Sequence, residues 1–255
     1  MAKSKNTGYN EAAHSARVGL FDEIRGFAIL CMVVYHAMYD LKYLCGFDVP
    51  IFFEGWFDII RDIFAGAFMF ISGSVCRYSS SNLKRGVQCF FIGMIMTFVM
   101  PFFTNGTILF GILHFMGVCM MLYGLGEKIL DKLPALVGII ICVFLFIFTM
   151  NIGNGYIGIG GLAIFDIPQK AYDVGILFPL GMYNQFFYSS DYFPLLPWMF
   201  VFFAGSYFGV YAKKGQLPKW CYNTHINWLA TIGKYTIWIY ILHQPILYLL
   251  CNLIF

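Results

Sequence analysis

The feature that most constrains this chain is a series of apolar runs, each about 20 residues long, the length of a membrane-spanning helix. Lipid offers no hydrogen-bond partners, so a backbone that crosses it must satisfy its own polar groups. The predicted spans are seven: residues 21–41, 56–77, 86–103, 107–126, 134–152, 192–211 and 228–253. The sequence therefore predicts an all-α fold, that of a polytopic helical membrane protein.

The amino-acid composition indicates the same class of protein. Of 255 residues, 60% are hydrophobic and 11% are charged, whereas about a quarter of the residues in soluble domains are charged. The net charge of +3 is too small to indicate nucleic-acid binding, so the lipid bilayer is the expected partner. Residues 1–20 are predicted to form a cytoplasmic N-terminal tail, and residues 21–255 a single transmembrane domain.

The eight cysteines lie mostly inside apolar runs and never form a Cys-x-x-Cys pair. We interpret them as small apolar side chains, which disfavours a disulfide framework or a zinc site. No metal is expected.

Basic residues are concentrated in alternate connections between the spans. They are Lys3, Lys5, Arg17, Arg77, Lys84, Arg85, Lys128, Lys132, Lys213, Lys214 and Lys219. Cytoplasmic connections of membrane proteins carry the excess of Lys and Arg. The pattern predicts a multi-pass protein with its N-terminus in the cytoplasm and its C-terminus outside. The membrane expected is the plasma (inner) membrane.

The region between the fifth and sixth runs contains two ambiguous stretches. Residues 174–188 are apolar but broken by Pro179 and Gly181. An eighth span there would move the Lys213 and Lys214 connection to the outside, so an outward re-entrant or interfacial segment is favoured. The glycine-rich stretch NIGNGYIGIGG, residues 151–161, is predicted to be irregular backbone.

The first span carries ionisable residues, which are costly in lipid and therefore indicate function. Arg25 and His36 are eleven residues apart, which places them within roughly 20° of one helix face and about 16 Å apart along the axis. Asp40 follows His36 by one helical turn. A carboxylate in that position can hold the tautomer of a histidine that acts as a general base.

Two further histidines lie inside predicted spans, His114 in the fourth and His243 in the seventh. Counted from the predicted cytoplasmic ends, both reach the level of His36, slightly outward of the midplane. The alternative for each histidine is a hydrogen bond to a helix backbone carbonyl, which Pro245 favours at His243 by leaving a carbonyl free. No spacing resembles a pair of metal ligands.

Charged residues also mark the predicted outer side. Arg61 lies with Asp58 and Asp62 at the start of the second span. One interpretation is that these three side chains form a self-satisfied cluster at the interface. The alternative is functional: Arg61 either pairs with Asp40 or binds an acceptor. Asp191, the first residue of DYFPLLPW, is a second candidate at the outer mouth.

Five sequence blocks together resemble a known family: FDEIRGFAIL followed by His36, then FMFISG, FGILHFMG, DYFPLLPW and IYILHQPIL. They occur in the order found in the bacterial relatives of heparan-α-glucosaminide N-acetyltransferase, a polytopic membrane family. The spacing of Arg25 and His36 also resembles the Arg-x10-His signature of the more distant membrane O-acyltransferases. In those relatives the arginine is associated with the acyl-CoA side and the histidine with catalysis.

The resemblance implies transfer of an acetyl group from cytosolic acetyl-CoA, as co-substrate, to an amine or hydroxyl of a glycan or small-molecule acceptor across the membrane. Arg25 would then hold CoA phosphates, and His36, oriented by Asp40, would deprotonate the acceptor. His114 or His243 would stabilise the thioester oxyanion or orient the acceptor. Further cations expected at the CoA phosphates are Lys84, Arg85, Lys213 and Lys214.

The chain departs from the animal lysosomal enzyme in having fewer predicted spans and His36 in place of an amide side chain. The resemblance therefore leaves the acceptor open, as it does N- versus O-acylation and a homodimer. Two other functions fit the residues: a proton-coupled small-molecule transporter, since buried His and Asp side chains relay protons, and a non-catalytic membrane scaffold.

Overall fold

A computed structural model describes residues 17–50, 55–102 and 106–254 of the chain. Its α-helices are α1 Gly19–Tyr43, α2 Gly55–Cys76, α3 Asn82–Val99, α4 Ile112–Leu130, α5 Ala135–Thr149, α6 Lys170–Asp173, α7 Leu195–Lys213, α8 Lys219–Tyr222, α9 Asn227–Lys234 and α10 Thr236–Ile254. Its strands are β1 Tyr156–Ile159 and β2 Leu162–Asp166, and short 3₁₀ helices lie at Met100–Phe102, Ile152–Asn154 and Phe178–Leu180.

Seven helices in the described part of the chain are long and apolar enough to cross a membrane. They are α1, α2, α3 extended to Phe102, α4, α5 extended to Asn154, α7 and α10. The predicted class, a polytopic helical membrane protein with seven spans, is confirmed. Between residues 174 and 188 the backbone forms only the 3₁₀ turn Phe178–Leu180, so this segment is not an eighth spanning helix.

Two of the predicted spans contain a change of backbone that was not predicted. The run at 228–253 is divided into α9 and α10 at Tyr235, where the backbone leaves the helical region. The run at 107–126 becomes helical only at Ile112, because Phe110 forms a β-bridge with Tyr192 and its carbonyl accepts the Phe193 N–H. Hydropathy is continuous through both points, so it does not reveal either change of backbone.

The prediction of irregular backbone at residues 151–161 is wrong in part. Residues of this stretch form β1, which pairs antiparallel with β2, so that Ile159 faces Leu162. Gly160, with a φ of +59°, is the first of the two turn residues, where a tight hairpin favours glycine. The backbone polar groups are thereby satisfied by a strand partner rather than by water alone.

The chain divides into two compact units. The terminal unit consists of the chain up to Ile71 together with Val210 and the residues after it, and the central unit is Ser72–Gly209. In the terminal unit α1 packs against α9 and α10. In the central unit α3 packs against α4, and α5 packs against β1. The expectation of one domain over residues 21–255 stays a prediction.

Small residues allow the helices of the terminal unit to approach closely. A Cβ atom at Gly26 of α1 would collide with the Leu229 carbonyl oxygen of α9. A Cβ at Gly233 of α9 would collide with the Asp22 carbonyl oxygen of α1. These close approaches of the two backbones give α1 and α9 a tight van der Waals contact.

Candidate active site

The acidic residues at the start of α1 are used to hold the segment that leads into α9. Glu23 accepts the backbone N–H groups of His225 and of Ile226, the latter at 2.8 Å. Ile226 is the N-cap of α9, so the carboxylate lies where a helix has unpaired N–H groups and a positive dipole end. Glu23 is therefore a tertiary cap that ties α9 to α1.

Asp22 makes a second set of contacts at this end of α1. It pairs with Arg17 at 2.7 Å and lies 3.8 Å from Arg25. The hydrogen bond and charge of Asp22 raise the pKa of Arg17, which lies outside the membrane spans. The carboxylate therefore joins Arg17, two residues before α1, to the first turn of that helix.

Arg25 is also held by the protein. Its guanidinium donates to the Gly233 carbonyl at the end of α9, and its side chain is 17% exposed. A cation near the C-terminus of a helix is favourable because the carbonyls there are unpaired. The predicted role of Arg25 at CoA phosphates stays a prediction.

Two of the predicted catalytic histidines are neighbours in the terminal unit. The ring centroids of His36 in α1 and His243 in α10 are 5.1 Å apart. His243 is buried, and its Nδ1 lies 2.6 Å from the Tyr240 carbonyl oxygen. Because a carbonyl can only accept, Nδ1 carries the hydrogen and Nε2 the lone pair of the neutral ring. The hydrogen bond to a helix carbonyl that was expected as an alternative is thus present at His243, beside His36.

Asp40 does not make the predicted hydrogen bond to His36. Both of its carboxylate oxygens accept from Nε2 of Gln244 in α10, at 2.8 and 3.1 Å, and both residues are buried. The i, i+4 spacing places Asp40 and His36 on one face of α1 but does not fix where each side chain turns. A donor on the neighbouring helix takes the carboxylate instead.

Gln244 was missed by the sequence reasoning. It follows His243 in the block IYILHQPIL, where a polar amide within an apolar span was the available signal. Its bond to Asp40 joins α1 and α10 one turn from His36 and next to His243. The pair therefore fixes the register at which the two histidines meet.

Arg61 in α2 belongs to the self-satisfied cluster that was one of its predicted alternatives. It lies 3.0 Å from Asp58 and 2.9 Å from Asp62, and it donates to the Tyr35 hydroxyl at 3.3 Å. It does not pair with Asp40, whose carboxylate is occupied by Gln244. Its predicted role in binding an acceptor stays a prediction.

His114 lies in the central unit and is 1% exposed. Its Nε2 is 3.3 Å from the Thr97 hydroxyl oxygen, and that hydroxyl donates to the Ile108 carbonyl. The hydroxyl hydrogen is thus used, so the hydrogen between the two side chains comes from Nε2. Nδ1 is then the acceptor nitrogen, and it has no hydrogen-bond partner in the part of the chain that is described.

Asp191 caps the helix that carries His114. Its Oδ2 accepts the N–H of Ile112, the first residue of α4, at 2.9 Å. A carboxylate is favoured there because the first N–H groups of a helix lack internal partners. Asp191 thereby fixes the turn of α4 that presents His114, and its predicted role at the outer mouth stays a prediction.

The remaining predicted residues are four cations, all of them exposed. Lys84 and Arg85 are exposed in the first turn of α3, in the central unit. Lys213 and Lys214 are exposed around the end of α7, in the terminal unit. Their binding of CoA phosphates, and the placement of all three histidines at one level, stay predictions.

Arg77 is a structural residue that the sequence reasoning treated only as a basic loop residue. Its guanidinium is buried, pairs with Asp131 and donates to the Ser206 carbonyl at 2.8 Å. It also lies over the rings of Tyr123 and Tyr207, at 5.3 and 5.9 Å from their centroids. These contacts join the end of α2 to α4 and α7 within the central unit.

The described residues contain no group of three His, Cys, Asp or Glu side chains arranged to hold a metal ion. The polar residues in the spans instead meet as an imidazole pair and an acid–amide pair, both within a set of helices able to cross a membrane. Fold and site thus define a polytopic helical membrane protein with a histidine pair between two of its helices.

The chain belongs to the family described as heparan-alpha-glucosaminide N-acetyltransferase, catalytic, whose family model matches residues 17–245. The predicted family resemblance is confirmed, and the family is one of membrane acetyltransferases. Neither a curated protein nor a solved structure matches the chain significantly.

Proposed function

We propose that this protein is an acyl-CoA-dependent membrane acetyltransferase. It moves an acetyl group from acetyl-CoA at the cytoplasmic side to an amine or hydroxyl of a glycan or small-molecule acceptor at the outer side of the plasma membrane. The observation that carries the proposal is the family match over residues 17–245, which includes His36, His114 and His243. The alternation of basic connections supports the proposed orientation.

The proposed chemistry is centred on His36. Its imidazole accepts a proton from the acceptor as the acceptor nitrogen or oxygen attacks the thioester carbonyl. The tetrahedral intermediate then collapses, the carbon–sulfur bond breaks, and the CoA thiolate takes up a proton to leave as the thiol. His243 and His114 are proposed to orient the acceptor or to stabilise the developing oxyanion.

Asp40 is proposed to act as a positioning residue for this chemistry. Its bond to Gln244 holds α10 against α1 beside the two imidazole rings, which lie 5.1 Å apart. Misplacement of a catalytic group by about 1 Å can cost on the order of 100-fold in rate. Loss of the acid–amide pair is therefore expected to affect transfer through geometry rather than through the charge on His36.

The donor end of the proposed site lies at the other end of α1. Arg25 precedes His36 by eleven residues, a rise of about 16 Å along the helix. An extended phosphopantetheine arm has a length of that order. The exposed cations Lys213 and Lys214 in the same unit, together with Lys84 and Arg85, are proposed to bind the CoA phosphates.

The proposal is tested by thermal unfolding of the purified full-length protein with acetyl-CoA, CoA or ATP. A ligand present at 100 times its Kd raises the apparent stability by about 2.7 kcal/mol. We expect stabilisation by acetyl-CoA and CoA that exceeds that by ATP. Equal unfolding temperatures with and without acetyl-CoA would contradict the proposal and favour the transporter or the scaffold.

A second test measures transfer of labelled acetyl groups to membrane glycans. The variant His36→Ala is expected to lose about 100-fold or more of the rate, the typical contribution of a general base. The control is His225→Ala, because His225 is a partly exposed histidine of the same unit outside the membrane spans. Normal transfer by His36→Ala would refute the proposed role of His36.

A further inference from the structure

A cavity of about 510 Å³ lies in the central unit, between the hairpin region and the segment that precedes α7. Its volume is within the range of about 300–1,000 Å³ typical of small-molecule sites. The residues that line it include Gln169, Asp173, Tyr183, Asn184, Gln185 and Phe186. They belong to none of the groups assigned above to acetyl transfer.

Amide side chains supply most of the polar groups of this cavity. The Gln185 amide makes no hydrogen bond to any described residue and is exposed. Asn184 accepts the Phe186 N–H through Oδ1 at 3.0 Å, which directs this amide by a local turn. An amide both donates and accepts hydrogen bonds. This chemistry matches ligands rich in hydroxyl groups, since a hydroxyl also donates and accepts.

Aromatic surface lies next to these amides. The side chains of Tyr183 and Phe186 are 40% and 84% exposed. Exposed rings offer a flat apolar surface at a small conformational cost. An amide row beside open ring faces suits a sugar, whose ring has a C–H face and an edge of hydroxyls.

The charge of the cavity restricts which sugars fit. Asp173 is an acidic residue that lines it, and its lining residues include no lysine, arginine or histidine. Phosphates, sulfates and uronic acids would therefore meet a like charge without a cation to pair with. Neutral sugars and sugars that carry an amine are favoured.

A chain of ring contacts connects the cavity to His114. Tyr183 contacts Phe187, and Phe187 contacts Phe178, with ring centroids 5.2 and 5.3 Å apart. Phe178 contacts Phe110, and Phe110 stacks on His114 at 5.8 Å. The cavity wall and the candidate histidine thus belong to one aromatic cluster of the central unit.

We propose that this cavity is a subsite for a neutral or amine-bearing sugar residue of the acceptor. The assignment of the sugar as acceptor rests on the proposed acetyl transfer, whereas the binding of the sugar rests on the cavity alone. The amides bind the hydroxyl groups, Tyr183 and Phe186 pack against the sugar ring, and Asp173 selects against anionic sugars.

The test measures binding of three tetrasaccharides to the full-length protein in phosphatidylcholine nanodiscs, which avoid sugar-based detergents. The probes are cellotetraose, a tetrasaccharide of glucosamine and a tetrasaccharide of galacturonate, each without acetyl-CoA. We expect the glucosamine probe to bind most tightly and the galacturonate probe most weakly. No binding of the first two probes, or tightest binding of galacturonate, would overturn the proposal.

Two exposed side chains are changed separately, Gln185→Ala and Phe186→Ala. Each is expected to weaken binding of the favoured probe by about threefold to tenfold, the loss of one hydrogen bond or one ring contact. The control is Phe165→Ala in β2, which removes a ring that is 63% exposed outside the cavity. Equal affinity of the two variants and the control would refute the subsite.

The two proposals can fail separately. Sugar binding that depends on Gln185 and Phe186, without stabilisation by acetyl-CoA, would support the subsite and contradict the proposed acetyl transfer. Acetyl transfer that depends on His36, with the same acceptor KM in the cavity variants, would support the proposed transfer and contradict the subsite.

Discussion

Replacement of Gln244 by methionine separates two roles for Asp40: positioning α10 against α1, and acting directly on His36. In the structure the amide of Gln244 supplies hydrogen bonds to both oxygens of a buried carboxylate. Methionine has a similar volume but no donor, so Gln244→Met leaves Asp40 without that partner while it preserves the packing of α10. The perturbation therefore acts on the acid–amide pair and spares the imidazole rings.

The expected destabilisation can be bounded from this geometry. The loss of a hydrogen bond to a charged group costs at least about 1.5 kcal/mol. The usual upper limit for such a bond is about 3 kcal/mol. The variant should lie between these limits, a fall of about 3 to 12 °C in Tm at about 2–4 °C per kcal/mol. The fall in Tm is measured by thermal unfolding of the variant and the unchanged protein in nanodiscs.

A matched variant, Asp40→Asn, decides between the two roles. Asparagine keeps an oxygen that accepts from Gln244 but removes the charge. If Asp40 positions the helices, Asp40→Asn should retain most of the transfer rate, and Gln244→Met should lose rate and stability together. Loss of transfer in Asp40→Asn at an unchanged Tm would refute positioning and restore a direct action on His36.

Two further predictions concern the central unit. Arg77→Ala should lower the free energy of unfolding by about 1–3 kcal/mol, because the Ser206 carbonyl loses its buried donor, whereas the half-exposed Asp131 can regain water. The exposed Arg85→Ala is the control, and equal melting temperatures of the two variants would contradict this account. Asp191→Ala should cost about 1–2 kcal/mol through loss of the cap on the Ile112 N–H. Asp191→Asn should recover most of this in the same thermal assay, and no loss in Asp191→Ala would show that the cap is dispensable.

The membrane architecture was predictable because its signal is local. Long apolar runs must become helices in lipid, so each of the seven spans could be located from hydropathy. The break between α9 and α10 at Tyr235 was not predictable, because the sequence on both sides of it is apolar. The hairpin had a recognisable signal in the two glycines between Ile159 and Leu162, which the glycine content of the stretch concealed.

The residues of the candidate site were easier to predict from the sequence than their hydrogen-bond partners. Ionisable groups in apolar spans singled out His36 and His243, which the fold brings together. The spacing within α1 suggested an Asp40–His36 pair, but a single helix contains no information on which donor its neighbour presents. Gln244 was therefore missed, and so was the buried position of Arg77, since both depend on contacts between distant parts of the chain.

The attachment of α9 to α1 has a consequence for biosynthesis. Arg25 and its carbonyl partner at Gly233 are separated by 208 residues, which a ribosome takes about 10 to 40 s to add. During that interval α1 is in the membrane while Glu23 lacks the N–H groups of residues 225 and 226. The polar groups of α1 thus acquire these partners long after α1 itself is made, and the histidine pair is assembled only when α10 arrives.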